Sequence, residues 1–267
     1  MKRYIILLVG FCVLVVNYFH AQNNLQKGND YETAYKTKIP IEWVDIPAGS
    51  FIMGSPDDEA NRGVDEYQHQ VSVDGFNMSK YAITFEQFEA FCDAKGLKKP
   101  DDAGWGRGKR PVINISWHDA VEFTIWYGEG CRLPTEAEWE YAFRAGTTTA
   151  FNTGDKLTPL QANYYYTRNN SVGGIFPGQT LPVDNFLPND WGLYNMHGNV
   201  MEWCFDRYGM YSNVPQRNPQ GPTTGTDSVL RGGSWSDSDE RCRSASRDRS
   251  DPAYRYNKHG FRVVVSN

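Results

Sequence analysis

The sequence predicts an α+β fold with little regular secondary structure: three capped helices plus short strands. Three observations lead there. Between residues 84 and 146, three segments each open on a capping box and end at a glycine. Ahead of them, "IEWVDIPAGSFIMGS" and "HQVSVDGFNMSKYAIT" alternate apolar and polar residues as half-buried strands do. Beyond residue 147 helical periodicity vanishes. The chain turns rich in Gly, Pro, Asn, Asp and Tyr, with only strand-like pieces such as "SVLRGG" and "GFRVVV".

Residues 1–21, "MKRYIILLVGFCVLVVNYFHA", carry Lys2 and Arg3, an apolar run from Tyr4 to Val16, and Ala21 at a cleavage point. This pattern predicts a signal peptide and an exported chain: periplasmic, cell-surface or secreted. A membrane anchor is the alternative reading of the same run, which is near the lower limit for a spanning helix. Lipid attachment at Cys12 is discounted, because bulky Phe11 stands where a small residue is expected. No later apolar run could span a membrane, so the mature chain is expected to be soluble. Residues 22–40 are polar and unpatterned and read as a linker.

The strand pattern around "PAG" predicts a β-hairpin, and "PDDEANRGVDE" (56–66) reads as an exposed acidic loop. Thr84 with Gln87, Ser116 with Asp119 and Thr135 with Glu138 form the three capping boxes, in which side chains at both ends satisfy orphan backbone donors. Phe85, Phe88, Phe91 and Cys92 mark the apolar face of the first helix. Trp117, Val121, Thr124 and Ile125 mark that of the second. Gly96, Gly128 and Gly146 are the expected stops.

The net charge of −5 gives no electrostatic case for a nucleic-acid partner. Four cysteines follow the leader: Cys92, Cys131, Cys204 and Cys242. They show no C-x-x-C spacing for a zinc knuckle or redox pair, and export would permit disulfides in any of three pairings. So much irregular chain, dense in Trp and Tyr, argues for burial held by more than regular hydrogen bonding, and a metal is one candidate. In "WGLYNMHGNVMEWCFD", Asn195 offers an amide oxygen, Glu202 a carboxylate, and the glycine-bearing segment between them backbone carbonyls. Hard oxygen donors of this kind suit calcium, although Asn-x-x-Gly-Asn is also a common turn.

In "VLRGGSWSDSDERCRSASRDRS", residues Trp235, Ser236, Asp237, Asp239, Arg243 and Arg247 mix aromatic, hydroxyl and charged groups. That mix grips sugars, peptides or sulfated and carboxylated ligands; a solvated loop is the plain alternative. Cys242 could be activated by Arg241 and Arg243, but no histidine lies in the segment to act as base. A buried or disulfide-bonded cysteine is expected instead.

The motifs "IPAGSFIMGS", "YAITFEQFEAF", "PVINISWHDAVEF", "RLPTEAEWEYAFRAGT", "PVDNFLPNDWGLYNMHGNVMEW", "VLRGGSW" and "HGFRVVV" occur in the order found in the formylglycine-generating enzyme family, also called sulfatase-modifying factors. The chain resembles that family over residues 41–265. The resemblance implies a single domain with a C-type-lectin-like core and structural calcium. It implies one calcium site from Asn195, the backbone oxygens of Gly198 and Val200, and Glu202. A second implied site, starting at Asn163 and Tyr164, lacks the family's aspartate, for which Gly174 stands.

Members of the family that oxidise a sulfatase cysteine to formylglycine carry two cysteines after the "GGS", whose thiolates hold copper between them. Here Asp237 occupies the first position, about three residues are missing at the second, and Cys242 falls between two arginines. Copper is therefore not expected. Branches that use iron take histidine ligands from an additional helical domain not recognised here; His69, His118, His197 and His259 are scattered. The expected function is an exported, calcium-stabilised binding or accessory module of the cell envelope, taking a protein, peptide or glycan ligand. The alternative is a sulfatase-maturation oxidase with a rearranged site, whose partner would be a sulfatase.

Overall fold

The computed structural model describes residues 38–166 and 176–267. The expected signal peptide, most of the linker and Gly174 lie outside the described residues. No described helix is long and apolar enough to cross a membrane.

Strands β1 (Trp43–Ile46) and β2 (Gly49–Met53) flank the "PAG" turn, but they do not pair with each other. β1 runs antiparallel to β4 (Phe76–Ser79), which also takes β10 (Val264–Ser266), whereas β2 joins β3 (His69–Val73) and the short β6 (Gln216–Arg217). The hairpin expectation is thus corrected: the turn carries the chain from one sheet to another. Pro47 has no N–H to contribute to a ladder there. A third sheet runs β8 (Arg247–Ser250), β7 (Ser228–Arg231), β5 (Met201–Arg207), β9 (His259–Gly260).

All three capping boxes form. Thr84 caps α1 (Phe85–Lys95), Ser116 caps α2 (Trp117–Tyr127) and Thr135 caps α3 (Glu136–Arg144). α1 buries the expected Phe85, Phe88, Phe91 and Cys92. α2 is rotated from the expected face: Ala120, Phe123, Thr124 and Tyr127 are buried, and Ile125 is 74% exposed. Two overlapping stripes compete on this helix, and the one with the larger rings wins. Phe123 stacks on Phe88 at 5.7 Å and meets Phe261 edge-on at 5.4 Å. Full burial of each such ring contributes about 1.5–3 kcal/mol. α3 is buried along its whole length, charged residues included. Ala145, at φ 45°, takes the left-handed cap position, one residue before the expected Gly146.

Pro40–Asn267 forms one compact unit, and the irregular half lies inside it. Trp203 and Leu230 from the third sheet share a core with α1 and α2; Cys204 and Val229 share another with Trp139 and Phe143 of α3.

Candidate functional site

β7 ends at Gly232 and Gly233, both at positive φ (97° and 69°). A side chain at Gly233 would collide with Cys242 Sγ at 2.6 Å, so the turn needs glycine there. Past it, the Trp235 N–H donates to the Asn199 carbonyl (3.0 Å) and the indole Nε1–H to that of Asn257 (3.1 Å), which fixes the ring. Trp105 meets the ring edge-on at 5.0 Å, and Phe176 lies nearly parallel to it at 6.3 Å. Tyr165 adds an edge contact to Phe176 at 5.3 Å. The result is an aromatic wall, half-buried at Trp235, that pairing by sequence neighbourhood could not reveal.

Asp237 sits beside this wall. Its carboxylate accepts from Lys258 Nζ at 2.9 Å and from the Ser234 hydroxyl, and its backbone carbonyl accepts from the Tyr165 N–H at 2.8 Å. Ser236 is half-buried next to it, and Asp239 is exposed at the start of a 3-10 helix, Asp239–Cys242. Trp235, Ser236 and Asp237 are therefore gathered at one surface with Trp105, Phe176 and Lys258.

Arg243 and Arg247 are not gathered there, which corrects their expected place in a ligand groove. Arg243 donates to both oxygens of Glu66 at 2.8 Å, to Glu59 at 2.6 Å and to the Asn61 carbonyl at 2.7 Å. It bolts down the 56–66 loop, whose Glu66 is buried rather than solvated. Arg247 forms a two-pronged pair with Glu136 (2.7 and 2.9 Å) and lies over the Tyr211 ring at 3.9 Å. Both guanidiniums are at most 6% exposed and already matched by carboxylates.

Cys242 is fully buried among Phe151, Leu157, Ala162 and Tyr164. Burial, with Asp237 and Asp239 nearby, pushes its thiol well above the usual cysteine range. It stays protonated, whereas nucleophiles and soft-metal ligands act as thiolates. Cys92, Cys204 and Cys242 are free thiols.

The calcium set can be tested on its donors. Asn195 and Gly198 adopt positive φ (51° and 68°), so the segment turns tightly. Asn195 Nδ2 donates to the carbonyls of Val183 (2.7 Å) and Asn185 (3.3 Å), while its buried Oδ1 has no partner. An orphaned buried carbonyl is costly unless something accepts its lone pairs. Glu202 is paired with Arg262 through both oxygens (2.6 and 2.9 Å), and Oε2 also accepts from Trp139 Nε1 (2.7 Å). Oε1 has a single donor and so keeps acceptor capacity. The donor types fit a hard cation. Asn163 Oδ1 is likewise buried without a partner. Among the described residues no cluster of three or more His, Cys, Asp or Glu side chains forms a metal site.

Residues 29–267 match the model of the sulfatase-modifying factor enzyme 1-like domain. The chain belongs to this family. It is 33% identical to the formylglycine-generating enzyme of Mus musculus, with 84% of this chain and 75% of the relative aligned. The formylglycine-generating enzyme of Streptomyces coelicolor is also 33% identical, over 83% of this chain and 88% of its own. Among solved structures, PvdO from Pseudomonas aeruginosa superposes with a TM-score of 0.74 at 30% identity, covering 85% of this chain and 95% of PvdO. The family's fold, a mixture of short strands and few helices, is the one seen here.

Proposed function

We propose that this sulfatase-modifying-factor domain is an exported, calcium-stabilised binding or accessory module of the cell envelope, with its ligand site at the aromatic wall around Trp235. The observation that carries this is Asp237. The position where oxidase members of the family place a copper-binding thiol holds a carboxylate committed to Lys258 and Ser234. A carboxylate is a hard donor for a soft cation, and the adjacent ammonium repels any cation. The residues do not fit copper. What the site retains is four rings and an ion pair, which suits a protein, peptide or glycan ligand with one apolar face.

Calcium would be held by Asn195, Gly198, Val200 and Glu202. It would supply the missing partner of Asn195 Oδ1 and tie down the chain entering β5.

The alternative, a sulfatase-maturation oxidase, draws on the names and the identity of the relatives. Incubating the full chain with copper and a cysteine-containing sulfatase peptide, then weighing the peptide, separates the two. The expected result is an unchanged mass. Conversion to the aldehyde that disappears in Cys242→Ser would overturn the proposal.

A further inference from the structure

A second cavity lies away from the aromatic wall. It encloses about 270 Å³ between the start of α3, the ends of β2 and β3, and the segment 209–222. Met53, Met210, Pro219, Pro222 and Tyr211 give it apolar walls.

The charged groups on this wall are already matched. Arg247 spends Nε and Nη2 on Glu136 and Nη1 on the carbonyls of Asp65 (3.2 Å) and Gly209 (2.9 Å). Glu136 accepts from Arg247 and, at 2.9 Å, from the Tyr211 hydroxyl. Asp206 accepts the Glu136 N–H on Oδ2 at 2.9 Å, and burial beside the Glu136 charge pushes its carboxyl well above the usual range. The remaining hydrogen-bonding capacity is in His69, Ser212, Gln216 and Gln220. His69 donates its Nδ1–H to the Tyr67 carbonyl (3.1 Å), which leaves Nε2 as the ring's second polar atom for a ligand hydroxyl. The Ser212 oxygen accepts from the Val214 N–H (3.3 Å), which leaves its hydrogen to donate. The amides of Gln216 and Gln220 are each both donor and acceptor.

We infer that this cavity binds one uncharged hexopyranose residue. A charged ligand would compete with partners already in place: Arg247 with Glu136 and two carbonyls, Glu136 with Arg247 and Tyr211, and Asp206 Oδ2 with the Glu136 N–H. A pyranose ring offers apolar C–H faces to the Met, Pro and Tyr walls. Its rim of hydroxyls, each a donor and an acceptor, matches the histidine, serine and two glutamines. The volume falls just below the roughly 300–1,000 Å³ typical of drug-sized ligands, which suits a single ring.

The test titrates the intact chain with D-glucose, D-galactose, D-mannose and N-acetyl-D-glucosamine, one at a time, by saturation-transfer NMR. At least one should bind. The His69 ring lies 4.8 Å from that of Tyr211; His69→Phe keeps this contact but removes Nε2, and should weaken binding about tenfold or more. Met210 is 65% exposed, so Met210→Trp blocks the mouth without disturbing the core and should abolish binding. Trp235→Ala should leave it unchanged, which keeps this inference separate from the proposed ligand wall. Absence of binding by all four sugars, or binding that survives both cavity variants, overturns the inference. Binding of glycine or inorganic phosphate in their place does so as well.

Discussion

At the scale of single residues, arginine decides most. Arg231, Arg243, Arg247 and Arg262 are buried, and each meets at least one buried glutamate. Removing one partner of such a pair leaves an uncompensated charge and costs about 3–5 kcal/mol. Arg247→Ala should therefore lower the urea midpoint markedly, whereas Trp235→Ala should fold normally and lose only the ligand. Equal stability of the two variants would return Arg247 to a surface role. Cys242 makes the opposite case: its thiol is buried and protonated. Alkylation by iodoacetamide should reach it only after unfolding, and modification of the native protein at the rate of a free thiol would contradict this.

At the scale of elements, the capping boxes were legible because they are local: both partners lie within three residues. α3 depends on its box most, since every residue in it is buried and Glu138 also takes a two-pronged bond from Arg132 at 2.7 Å. Thr135→Ala should cost about 1 kcal/mol, read as a lower urea midpoint at unchanged slope. A change in slope would point to loss of the whole element. The face of α2 was not legible, because two apolar stripes overlap in "WHDAVEFTIWY" and only the rings on α1 and the C-terminal segment choose between them.

At the scale of the molecule, two buried histidines set the response to acid. His197 and His259 are pushed down to about 4, chiefly by burial, with Lys258 adding to the effect at His259. Unfolded imidazole titrates near 6.5, so between roughly 6.5 and 4 the unfolded chain binds protons that the native chain refuses. Stability then falls as pH drops, by up to about 3 kcal/mol per histidine. Asp206 runs the other way, because its raised carboxyl keeps a proton that the unfolded chain loses. Two histidines against one carboxyl leave a net rise, so the urea midpoint should increase from about pH 5 to about pH 7. His197→Gln should flatten the rise; a flat profile in the unaltered protein would refute the account.

The proposed calcium would act at the same scale. Glu202→Gln would unpair buried Arg262 whether or not calcium binds, so it cannot report on the metal alone. Asn195→Gly keeps the positive φ and removes the amide oxygen, together with the Nδ2 donor to the Val183 and Asn185 carbonyls, while Arg262 stays paired. Chelation should lower the Tm of the unaltered protein and leave that of Asn195→Gly unchanged. A chelator-insensitive Tm in the unaltered protein would remove calcium from the proposal.

The sequence by itself determined what is local or ordered along the chain. That includes the three capped helices, the family to which residues 29–267 belong, and the carboxylate at Asp237. Tertiary structure decided what depends on residues far apart. Arg243 reaches Glu66, 177 positions away, and Arg247 reaches Glu136, 111 positions away, so neither pairing leaves a trace in any local window. The same distance hid Trp105 and Lys258 from the reading of the Trp235 segment. A solvated arginine and a buried one look alike in sequence; only the fold supplies the carboxylate that makes burial affordable.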